Sequence, residues 1–165
     1  MRLLTLLGIV LAVGVPPGWH TFSADGVHVR YPHGWHATAA QLTPVDYPAQ
    51  ALAVASFPLP HSTRGSNGCS PQQVLKRMPA TGAFVFGWEY ARPSPSGRVR
   101  TRDFPPRPKH FRLGSRERYK CLGPSYMLRF REAGRFFQVH VALGPRASPA
   151  IRATVLRVLD SFRAR

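Results

Sequence analysis

Three histidines, His28, His33 and His36, fall within nine residues around the turn Tyr31-Pro32-His33-Gly34-Trp35. Imidazole nitrogens at close quarters are the side chains best suited to hold zinc or copper. The spacing follows no established ligand signature, and His28 sits in an alternating strand pattern, so turn and strand-surface roles account for all three without a metal. His20 and His140 read as outer-face strand residues. No cofactor motif is present.

Nucleophilic hydrolysis needs a nucleophile, a base and an orienting carboxylate. The chain has seven carboxylates, at 25, 46, 89, 103, 117, 132 and 160, and neither a GxSxG nor an SxxK context. Asp25 belongs to a turn, Asp160 to the polar face of a helix and Glu132 to a hairpin end. Glu89 and Asp46 are left without a structural role. An enzyme, a small extracytoplasmic hydrolase working near Glu89 and the histidine turn, is therefore the alternative reading and a non-enzymatic binding domain the main one.

The strongest chemical bias is positive charge, with 23 Lys and Arg against 7 Asp and Glu, a formal net charge of +16. Such an excess favours polyanions. It concentrates in residues 91–120, where prolines 93, 95, 105, 106 and 108 break regular structure. Arg98, Arg100, Arg102, Arg107, Lys109 and Arg112, interleaved with Phe104 and Phe111, can meet phosphate groups of anionic lipid or wall polymer, or pair with an acidic protein. The plainer account is a solvated loop enriched in Arg and Pro by GC-rich coding. Nucleic acid is not expected as a physiological partner of an exported protein.

Export is read from residues 1–14, where Arg2 precedes an apolar run that is too short for a comfortable membrane span and ends in small residues. This is a signal peptide cleaved after Gly14 or a short N-terminal anchor, and it places the remainder outside the cytoplasm, secreted or tethered to the membrane. In that compartment the only two cysteines, Cys69 and Cys121, are most economically a disulfide. Closing a loop of about 50 residues would contribute on the order of 4 kcal/mol in the chain-entropy model. Two separate buried thiols are the alternative.

The elements that must position these groups begin with two hairpins. Trp19–Ser23 and Val27–Tyr31 flank an Asp25-Gly26 turn. In the second, Ala133-Gly134 as turn residues pairs Phe130 with Phe137, Leu128 with Val139 and Tyr126 with Val141, giving one wholly apolar face. Arg129, Arg131, Gln138 and His140, with Met127 and Phe136, fall on the other. Residues 51–57 and 83–90 are further strands, and Phe111–Leu113 is expected to re-enter the sheet. Residues 37–42 are a short helix or an irregular segment. Ser70, Pro71 and Gln73 make a helix start, and Ser148-Pro149 opens a last helix whose stripe of Ile151, Val155, Val158, Leu159 and Phe162 must dock on a sheet face.

The run Phe22 to Trp35, FSADGVHVRYPHGW, together with the strand from Gly134 and the helix ending VLDSF at Val158 to Phe162, resembles the superfamily of PsbP-like and Mog-type proteins. The resemblance implies a binding or scaffold domain and carries over no functional residue. The expected fold is one α+β domain over residues 15–165, with the basic insert at 91–120. It would be a curved, mainly antiparallel sheet packed with helices as an α/β/α sandwich, the C-terminal helix docked on the sheet. Composition and spacing name no ligand and no oligomeric state.

Overall fold

A computed structural model describes residues 18–61, 71–91, 93, 97–119 and 122–165. Trp19–Ala24 (β1) and Val27–Pro32 (β2) pair antiparallel about Asp25-Gly26, whose φ angles of 47° and 73° are those of a turn matched to the strand twist. His36–Ala37 (β3) and Ala49–Ala55 (β4) follow, then the six-residue helix Pro71–Lys76 (α1) and the strand Ala83–Tyr90 (β5). A 3-10 turn, Thr101–Asp103, lies inside the basic insert. Glu117–Tyr119 (β6), Gly123–Glu132 (β7), Arg135–Leu143 (β8), the helix Pro149–Asp160 (α2) and Arg163–Ala164 (β9) complete the order.

The described strands make two antiparallel sheets, a three-stranded one in the order β1-β2-β9 and a six-stranded one in the order β3-β4-β5-β8-β7-β6. This corrects the expected α/β/α sandwich: the chain is β-rich, with two α-helices among the described residues. Two local causes stand behind the difference. The first hairpin builds a sheet of its own, closed by the two-residue β9 against Val27 and His28, and so occupies space a helical layer would fill. On the other side α1 ends at Lys76, just before Met78-Pro79, and covers little of the sheet. Residues 38–48 hold no helix either, because the Gln50 side chain takes the Leu42 amide at 2.7 Å and the Ala40 carbonyl at 2.9 Å.

The β7–β8 register is Phe130 with Phe137, Leu128 with Val139 and Tyr126 with Val141, as the hairpin pattern predicts. Their face, with Leu52, Val54 and Val85, packs against Val27 and Val29 of the small sheet and against Val155, Val158, Leu159 and Phe162. Ser148 caps α2 by accepting from the Ile151 amide at 3.2 Å, with Pro149 in the first turn. The opposite face carries Phe84, Phe86 and Ala142, covered by Leu42, Phe57, Val74 and Leu122. A bulge at Ala51 lets Gln50 and Leu52 point to these opposite faces. No helix among the described residues is long and apolar enough to cross a membrane. Residues 1–14, the Ser70 cap and both Cys69 and Cys121 lie outside the described residues.

Candidate functional site

The basic insert is a strap fastened to both faces of the large sheet. Phe104, fully buried, wedges between Tyr90 and Phe136 at ring separations of 5.6 Å on one face. Phe111, on the other, meets Phe130 at 5.0 Å, and its amide donates to Asp160 Oδ1 at 2.7 Å. Between them Pro105 and Arg107 bond the backbone of Arg131 along the free edge of β7. Phe111–Leu113 therefore enters the core without joining the sheet, a correction to the sequence expectation. The strand that does form is the polar Glu117–Tyr119, paired with β7.

This fastening divides the six predicted anion-binding residues. Arg100 is committed to the 3-10 turn, its amide donating to Asp103 Oδ2 at 2.9 Å and its guanidinium lying 3.5 Å from Oδ1. Arg107 donates to the Asp160 and Pro108 carbonyls and stands 3.9 Å from Glu132. With Arg163, which also donates to the Asp160 carbonyl, it satisfies the C-terminal end of α2, where cations are favoured. Arg98, Arg102, Lys109 and Arg112 are exposed and make no hydrogen bond or ion pair with a described residue.

The three predicted histidines are not brought together. His28 lies opposite Ser23 and bonds it at 2.8 Å, His36 starts β3 in the other sheet, and His33 instead meets His20 at 3.1 Å. No cluster of three or more His, Cys, Asp or Glu able to hold a metal occurs among the described residues. Glu89 is equally far from a catalytic setting. It takes both oxygens to Arg135 at 2.7 and 2.6 Å, and Arg135 also donates to the carbonyls of Asp25 and Arg165, joining the two sheets. Glu89 pairs with Ala49 and His36 with Ala55, at opposite ends of β4, so roughly 20 Å of strand separates them. Asp46 lines a shallow polar groove with Asp25 and Gln50. Glu89→Gln is expected to cost about 2 kcal/mol in urea unfolding, since both partners are largely buried and the pair is bidentate. A change under about 0.5 kcal/mol would mean the pair is as idle as an exposed one.

The polar face of the hairpin holds an arrangement that sequence patterning did not single out. Cross-strand register sets Trp88, Gln138 and Arg129 in one row over β5, β8 and β7. Arg129 Nε donates to Gln138 Oε1 at 2.8 Å, Gln138 Nε2 lies 2.9 Å from His140 Nε2, and His140 Nδ1 lies 3.4 Å from Ser125 Oγ. An amide nitrogen only donates, so His140 Nε2 accepts and its proton resides on Nδ1. Burial, assisted by the nearby Arg129 charge, lowers the His140 pKa to about 4 and keeps the ring neutral. The ring is packed edge-on by Tyr119 at 4.7 Å and Trp88 at 5.3 Å. The usable sequence signal is the alternation of Gln138 and His140 with Phe137, Val139 and Val141, polar groups in a strand that is otherwise apolar from Phe136 to Leu143. No family model matches the chain, and no curated protein matches its sequence.

Proposed function

We propose that the protein is an exported, non-enzymatic binding domain that meets a phosphate-bearing envelope component, lipid headgroup or wall polymer, through its basic insert. The observation carrying this reading is the pinned strap: Phe104 and Phe111 anchor its backbone on opposite faces, while Arg98, Arg102, Lys109 and Arg112 stay exposed. A fastened backbone presents its cations at low conformational cost. The acidic residues do little to neutralise them. Glu89, Asp103, Glu117, Glu132 and Asp160 are all engaged in bonds to the fold. The leader-like residues 1–14 support the compartment.

The test is co-sedimentation with vesicles of phosphatidylglycerol in phosphatidylcholine, and with poly(glycerol phosphate), at low and high salt. A basic residue near an anionic surface contributes about 1 kcal/mol. The variant with Arg98, Arg102, Lys109 and Arg112 all changed to Gln should therefore bind at least on the order of a hundredfold more weakly. Binding to both anions should fade as salt shortens the screening length toward roughly 3 Å at 1 M. Undiminished binding by the variant, or equal binding to pure phosphatidylcholine, sinks the proposal.

A further inference from the structure

We infer that the Arg129 row is a binding site for the carboxylate of a small organic acid with an apolar or aromatic body, separate from the exposed cations of the insert. The inference rests on a count of donors and acceptors. Gln138 Oε1 is taken by Arg129 Nε, and His140 Nε2 by the Gln138 amide. The relay from Ser125 through His140 and Gln138 is thus spent in fixing the guanidinium. It leaves no ring or amide acceptor turned toward a ligand.

Donors, in contrast, remain. The two terminal nitrogens of Arg129 make no hydrogen bond with a described residue, and Trp88 Nε1 is buried without a partner. Arg129 is half-buried and forms no ion pair among the described residues; Asp103 faces Arg100 and Glu117 bonds the Tyr119 hydroxyl at 3.0 Å. A half-buried guanidinium with no carboxylate in contact, Asp103 acting on it only through space, and an indole N–H without an acceptor are both costly, and a bound anion would relieve both. The walls are aromatic: Phe104 lies 5.8 Å under the guanidinium carbon, and Tyr119 and Trp88 flank His140. A planar fork of donors beside aromatic faces suits a carboxylate carried on an apolar group.

The test uses the full chain labelled with 15N, following the Arg129 Nε–H and Trp88 Nε1–H signals while benzoate is added, with methyl phosphate as the second arm. Both signals should shift saturably with benzoate, with half-saturation at or below about 1 mM. Arg129→Gln should abolish the Trp88 shift, and Arg129→Lys, which keeps charge but not the fork, should weaken it about tenfold. Gln138→Leu, which removes the contact that positions the guanidinium together with the donor to His140 Nε2, should raise the half-saturation severalfold with the Arg129 charge intact. Melting curves check that each variant is folded. A linear benzoate response in the wild type overturns the site, whatever the variants do. Equal benzoate affinity in folded Arg129→Lys, or tighter methyl phosphate than benzoate, overturns the carboxylate assignment.

Discussion

Phe130→Ala should lower the unfolding free energy by about 4 kcal/mol and loosen the basic insert at the same time. Phe130 is fully buried and is the hub for three rings from three other segments: it meets Phe111 of the insert at 5.0 Å, Phe137 of β8 at 5.6 Å and Phe162 beyond α2 at 5.0 Å. Removing it loses the transfer energy of one phenyl ring, leaves a cavity that three separate backbones cannot jointly close, and forfeits near-perpendicular contacts with Phe111 and Phe162. That is a large share of the 5–15 kcal/mol typical of a domain. Urea unfolding with an unchanged slope would measure it. Limited trypsin digestion would show the second effect, because Lys109 and Arg112 flank Phe111 and should be cut first. A cost below about 2 kcal/mol, with the insert still resistant, would mean that the Asp160 and Arg131 backbone bonds, and not the ring cluster, hold the strap.

The parts of this architecture that could be read in advance are those where two local rules agree. At the β7–β8 hairpin the alternation and the Ala133-Gly134 turn, with φ of 50° and 75°, specify the same register. The first hairpin is legible from its Asp25-Gly26 turn, but its closure into a separate sheet is not, because β9 is two residues long and its partner Val27 lies 137 positions away in the chain. The role of Glu89 was hidden for the same reason, its partner Arg135 being 46 residues distant. The histidine cluster shows the opposite error. Nearness in sequence was undone by strand alternation and a sheet boundary, which send His28 to an outer face and His36 into the other sheet. Within the insert, the sequence interleaves Phe104 and Phe111 with the cations, but their wedging on opposite faces depends on Tyr90, Phe136 and Phe130. Composition exposes the charge; only the fold distinguishes the cations that cap α2 from those left to solvent.

Acidification should destabilise the protein through His140, by about 3 kcal/mol between pH 6.5 and pH 4. The folded-state pKa is lowered to about 4, chiefly by burial and then by Arg129, while an unfolded histidine titrates near 6.5. In this window the unfolded chain binds a proton that the folded chain refuses, so stability rises with pH. Above about 6.5 the ring is neutral in both states and contributes no slope; below about 4 the loss is complete. At about 1.4 kcal/mol per pKa unit, the fall from 6.5 to about 4 gives a loss of the stated size. His140→Gln removes the titration and retains an acceptor for the Gln138 amide, so the wild-type minus variant difference in unfolding free energy should fall by about 3 kcal/mol across the window. Taking the difference cancels the carboxylates common to both proteins. A flat difference curve would show that the folded protein accommodates a charged ring. Ligand binding should follow the same titration, because a protonated Nε2 no longer accepts from Gln138. The amide then loses the bond that turns its oxygen toward Arg129, so benzoate affinity should decline toward pH 4 more steeply in the wild type than in His140→Gln, which keeps only the decline caused by protonation of benzoate itself.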